Sequence, residues 1–178
     1  MQSLVLGLTL FRILTAPFIF IASIFLNNYW LAFWLFVLAA LTDYFDGKLA
    51  RKFKVESRLG AILDPIGDKL LVLFAIITVT VFTNDIYVAL MGAFILAREF
   101  WVSALREYSS AQNISNKTSV TNIAKVKTTF QFIAFSLFFF GAASNLAIIT
   151  FIANFVLFIA LLLTYKSAID YSVTTFKN

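Results

Sequence analysis

Residues Thr42 to Lys69 read TDYFDGKLARKFKVESRLGAILDPIGDK, a charged stretch set between two apolar runs, Tyr29 to Leu41 and Leu70 to Phe82. Crossing a hydrocarbon core takes about 20 helical residues, so each run is short for a span. Each reaches spanning length only by continuing as a helix into the charged stretch. The charges of residues 42–69 must then sit at a membrane rim or in a wet cavity. Outward from this pair lie four plainer apolar runs, Leu8 to Leu26, Ile86 to Leu105, Phe130 to Ala143 and Ala147 to Thr164. The expected fold is an all-α integral membrane protein of six transmembrane helices.

Composition agrees. Of the 178 residues, 61% are hydrophobic and 13% charged, against about half and about a quarter in soluble proteins. With a mean hydropathy of +0.92 this excludes a soluble globular domain. Six helices use about 120 residues, so residues 1–178 are expected to form a single transmembrane domain. The first run lacks a charged leader segment and contains Arg12, and it is read as a retained helix loosened at Pro17. The Phe-rich run at Phe138 to Phe140 is read as lipid-facing or packing. With no Cys and no His, the chain builds no disulfide, thiolate nucleophile, imidazole acid/base or usual zinc site. The net charge of +5 is distributed by topology and gives no expectation of nucleic-acid binding. Connections at Asn27-Asn28, Thr83 to Asp85 and Ala143 to Asn145 hold no Lys or Arg, whereas the opposite connections and the tail hold nearly all of them. The positive-inside rule makes that second face, and both termini, cytoplasmic.

Four aspartates mark the charged stretch. Asp43 and Asp46 are spaced i, i+3 and Asp64 and Asp68 i, i+4, so each pair shares a helix face. Two adjacent helix ends can present all four carboxylates to one point. Four like charges repel unless cations sit among them, and hard oxygen donors at a wet rim suit Mg²⁺ or Mn²⁺, as two ions. Gly47 stands four after Asp43, Ala50 four after Asp46 and Gly60 four before Asp64, each leaving room one turn from a carboxylate. Arg51, Ser57 and nearby lysines add donors suited to phosphate. The competing reading is that the aspartates pair with the basic loop and anchor the membrane edge. Salt bridging alone does not call for Gly and Ala at helical spacing beside the carboxylates.

The string Asp43-Tyr-Phe-Asp46-Gly47-Lys-Leu-Ala50-Arg51, eight further residues, then Gly60-Ala-Ile-Leu-Asp64-Pro-Ile-Gly-Asp68 resembles the complete signature of the CDP-alcohol phosphatidyltransferases. The resemblance implies six transmembrane helices, a homodimer, and a dinuclear Mg²⁺ or Mn²⁺ site holding the diphosphate of a CDP-linked lipid at the cytoplasmic interface. It implies Asp43, Asp46, Asp64 and Asp68 as metal ligands and Gly47, Arg51 and Ser57 as nucleotide contacts, with Ala50 and Gly60 lining the same slot. Asp68 would also be the general base. Ser57 stands where relatives often have Thr, which keeps the hydroxyl.

For the acceptor, three further segments are informative: Leu8-Thr9-Leu-Phe-Arg12-Ile, Arg98-Glu99-Phe-Trp-Val-Ser103-Ala-Leu105-Arg106-Glu107, and Ala124-Lys125-Val-Lys127-Thr128-Thr129-Phe-Gln131. They resemble segments of bacterial family members whose acceptor is sn-glycerol 3-phosphate. That implies phosphatidyl transfer from CDP-diacylglycerol to its sn-1 hydroxyl, with release of CMP, in the bacterial cytoplasmic (inner) membrane. Leu6 replaces a frequent Asn and Ala124 a usual Gly. An arginine in an apolar helix needs an anion, and Arg98 and Arg106, about 80° apart around a helix, are expected to bind the acceptor phosphate. Lys125 and Lys127 are about 160° apart, so one faces that pocket. Lys125 is taken as that one, Lys127 as snorkelling to headgroups. Alternatively Arg98 pairs with Glu99 or Glu107, and Glu99 with Arg106. Another acceptor, such as inositol phosphate or serine, keeps the chemistry. A cation-transporter subunit would place its carboxylates at mid-membrane rather than at one basic rim.

Overall fold

The computed structural model describes residues 2–53, 58–112 and 122–176, with side chains for residues 6–42, 59, 60, 62–112 and 126–176. These residues form α1 (Gln2–Phe20, followed by a π-helical turn at Ile21–Phe25), α2 (Tyr29–Phe53), α3 (Arg58–Thr83), α4 (Ile86–Ala111), α5 (Asn122–Ser144) and α6 (Ala147–Phe176). Both helices flanking the charged stretch do extend into it. Five helices are long and apolar enough to cross a membrane, while the apolar part of α2 is the shorter Tyr29–Thr42 and its charged remainder continues the same helix to Phe53. Pro17 lies inside α1 without ending it, and the helix loosens into the π turn four residues later.

The described residues contain no strand. Successive helices run antiparallel through three tight connections at one end, each with an asparagine in the left-handed region: Asn27 (φ 50°), Asn84 (φ 49°) and Asn145 (φ 55°). Asparagine tolerates this conformation better than other side chains with a Cβ. Asn28 and Asp85 then cap the next helices, accepting from Leu31 N at 3.0 Å and Tyr87 N at 2.8 Å. The helices close into a ring in the order α1, α3, α4, α6, α5, α2, and α3 also meets α5 across the middle. At Gly92 an added Cβ would lie 2.4 Å from Ile76 Cγ2, so the absent side chain lets α4 approach α3.

The interior is apolar and aromatic. Phe36 on α2 meets Phe132, Phe135 and Phe139 of α5 at centroid distances of 5.9, 6.0 and 5.5 Å. Phe138 and Phe139 are fully buried, so this part of the Phe-rich run packs the core. The exterior is no less apolar: Leu14 is 62% exposed, Phe25 70%, Phe151 71% and Phe155 63%, a surface suited to lipid. Helix α1 packs on both α2 and α3, the two helices that bear the signature aspartates.

Candidate active site

Helices α1 and α3 run parallel from the basic end, and polar side chains join them there. Thr9 Oγ1 donates to Asp64 Oδ1 at 2.5 Å, and Arg12 Nη1 donates to Asp68 Oδ1 at 2.6 Å. The second contact is an asymmetric ion pair, with the Arg12 side chain fully buried and that of Asp68 48% exposed. Gly67 sits beside it: an added Cβ would lie 3.4 Å from Ile13 Cγ1 and 3.8 Å from Arg12 Cδ. Pro65, between the aspartates, lies inside α3 and removes the N–H that would bond the Ala61 carbonyl. Asp64 and Asp68 therefore stand one turn apart on one helix face, partly open to solvent and held from behind by α1.

Asp43, Asp46, Gly47, Ala50 and Arg51 lie on the charged part of α2, and their side chains lie outside the described residues, as does Ser57 altogether. Gly60 is on the first turn of α3 and is buried. Among the described residues no three carboxylates converge; Asp64 and Asp68 are the described half of the expected four. Their chemistry fits a hard divalent cation, with carboxylate oxygens one turn apart at a partly wet rim.

A second polar group is buried among α4, α5 and α6. Arg98 is 4% exposed and donates through Nε to Thr164 O at 3.0 Å, through Nη2 to Ser167 Oγ at 2.9 Å and through Nη1 to Glu99 Oε1 at 3.1 Å. Lys127, 6% exposed, pairs with the same Glu99 oxygen. Gln131 Nε2 donates to Thr164 Oγ1 at 3.1 Å. Two cations thus share one carboxylate, leaving one net positive charge in the interior.

Lys127, expected to snorkel to headgroups, is instead buried against Glu99, while Lys125 lies on α5 with its side chain outside the described residues. Glu99 pairs with Arg98 and Lys127 rather than with Arg106. Arg106 is exposed, its guanidinium 5.8 Å from the Tyr171 ring centroid, because eight residues separate it from Arg98 by about 12 Å along α4 even though the two share a side of the helix. Gln131 ends one of the three segments quoted above, whereas Thr164 and Ser167 lie outside them, although each is a polar residue within an otherwise apolar helix, a recognisable signal.

The six-helix ring carries a carboxylate pair at its basic rim, and the chain belongs to the CDP-alcohol phosphatidyltransferase family, whose model matches residues 5–166. It is 41% identical over 138 residues to the CDP-diacylglycerol–glycerol-3-phosphate 3-phosphatidyltransferase of Cereibacter sphaeroides, an alignment covering 75% of this chain and 62% of that protein. It is 42% identical over 130 residues to proteins of the same name from Pectobacterium atrosepticum and Escherichia coli, covering 71% of this chain and 71% of each relative. The chain therefore matches less than two thirds of the length of the first of these relatives and somewhat more of the others.

Proposed function

We propose that this protein transfers the phosphatidyl group of CDP-diacylglycerol to the sn-1 hydroxyl of sn-glycerol 3-phosphate, giving phosphatidylglycerophosphate and CMP. The relatives' shared name supports both substrates. The observation that carries the acceptor is the Arg98–Glu99–Lys127 group, two buried cations on one part-exposed carboxylate, whose excess positive charge suits a phosphate monoester. A phosphate monoester brings up to two negative charges to that group, against the single carboxylate of serine.

Asp43, Asp46, Asp64 and Asp68 are read as holding two divalent ions, Mg²⁺ or Mn²⁺. Such ions, when bound, neutralise the donor's diphosphate and ease departure of CMP. Arg51 and Ser57 donate to the nucleotide's phosphates, while Gly47, Ala50 and Gly60 keep the slot open for it. Arg98 and Lys127 orient the acceptor phosphate, with Arg106 and Lys125 drawing it from the rim. Asp68 accepts the proton of the attacking hydroxyl as oxygen approaches phosphorus. Purified protein given CDP-diacylglycerol and a panel of alcohols is expected to release CMP with glycerol 3-phosphate and to yield phosphatidylglycerophosphate. Preferential release with inositol phosphate or serine would replace the acceptor and keep the chemistry.

The reading also takes residues 1–178 as one transmembrane domain, working as a homodimer in the bacterial cytoplasmic membrane. A monomeric mass in native mass spectrometry would remove the dimer. The three asparagine turns carry no Lys or Arg, so the opposite end is assigned to the cytoplasm. Cysteines introduced at Asn84 and Asn145 are expected to react with an impermeant reagent from outside intact cells, and a cysteine at Ser115 only after permeabilisation. External labelling at Ser115 would put the site on the wrong side.

A further inference from the structure

We propose that Thr9 and Arg12 are positioning residues for the α3 carboxylates, so that α1 serves as a clamp setting the orientation of Asp64 and Asp68 for metal. This rests on the reading of those aspartates as ligands. The two donors are three residues apart on α1 and the two acceptors four apart on α3, a difference of about 1.5 Å along parallel helices. The short Thr9 side chain meets Asp64, and the longer Arg12 spans the remaining distance to Asp68. The helices are close beside these contacts: a Cβ added at Gly67 would already be in van der Waals contact with Ile13 and Arg12.

A merely structural reading would have Arg12 neutralised by any available carboxylate. Two features favour the clamp. Both α1 donors fall on the two signature carboxylates of α3, and Thr9 needs no charged partner to be accommodated in a helix. The Arg12–Asp68 pair is also lopsided, fully buried at the cation and about half exposed at the anion, so Asp68 still presents toward the rim while Arg12 fixes it from behind. Hydrogen bonds that orient a ligating carboxylate typically change metal affinity by about 10- to 100-fold when removed.

The test is Mn²⁺ binding to the substrate-free, detergent-solubilised full-length protein, read from the electron paramagnetic resonance signal of free Mn²⁺, alongside the melting temperature. Thr9→Val is expected to raise the Mn²⁺ Kd about tenfold or more, and Thr9→Ser to stay within about threefold of the unsubstituted protein. Arg12→Gln discriminates by sign. Removing a positive charge beside a cation site would by electrostatics alone tighten Mn²⁺, whereas loss of positioning weakens it. The clamp predicts weaker binding. Unchanged affinity in Thr9→Val, a Thr9→Ser variant as weak as Thr9→Val, or unchanged or tighter binding in Arg12→Gln would overturn it. If Thr9→Val does not fold, Thr9→Ala removes the same hydroxyl without a branched replacement and is held to the same criterion. Should the unsubstituted protein bind no Mn²⁺, or Asp64→Asn bind it equally well, the metal-ligand reading fails and the clamp with it; binding lost in Asp64→Asn but kept in Thr9→Val overturns the clamp alone.

Discussion

Asp68→Asn is expected to lower CMP release by about 10²- to 10⁴-fold, the range for loss of a positioned general base. Asp64→Asn should cost more than about a hundredfold, because losing a metal ligand exceeds the usual effect of losing one of its supports. The two variants should differ in stability. Asp64 is joined to neutral Thr9, and an Asn oxygen can still accept that hydrogen bond. Asp68 faces the fully buried Arg12, so removing its charge should lower the melting temperature as well. Rates per folded molecule, measured beside melting curves in detergent, separate the two effects. Substantial activity in folded Asp64→Asn and Asp68→Asn protein would favour the reading in which these aspartates only anchor the membrane edge.

Arg98→Gln and Lys127→Gln are expected to raise the KM for glycerol 3-phosphate about 10- to 100-fold while leaving that for CDP-diacylglycerol little changed. A charged hydrogen bond in a partly desolvated site is worth roughly 1.5 to 3 kcal/mol, which sets that range. Arg98 also bonds Thr164 and Ser167 across to α6, so Arg98→Gln should melt at a lower temperature than Lys127→Gln. That makes Lys127→Gln the cleaner probe. Saturation curves for each substrate, taken on protein that remains folded, decide the matter. Equal losses for donor and acceptor, or no loss for either, would mark Arg98, Glu99 and Lys127 as structural partners only.

The extension of α2 and α3 into residues 42–69 was legible because a short apolar run beside charges has one way to span a bilayer. The pairing of Asp64 with Asp68 followed from the period of the helix. Which lysine of α5 turns inward was not legible. Phe and other apolar residues surround much of that helix, so no polar stripe fixes its rotation against α4 and α6. Arg98 and Arg106 share one side of α4, but the axial rise between them leaves one buried and the other at the exposed end. Asp68, which meets Arg12, and Thr164 and Ser167, which meet Arg98, lie 56 or more residues away from them in sequence. Local patterns show that a buried arginine needs an anion or acceptors, yet the ring order of the helices decides which ones it meets.

Metal-dependent phosphatidyl transfer to glycerol 3-phosphate is tested by CMP release from CDP-diacylglycerol by the purified protein, with divalent ion and acceptor each withheld in turn. Sustained release is expected when Mg²⁺ or Mn²⁺ and glycerol 3-phosphate are both present, with phosphatidylglycerophosphate formed in equal amount, and near-background release when either is missing. Full turnover after exhaustive chelation, or CMP release at the same rate without glycerol 3-phosphate, would contradict it.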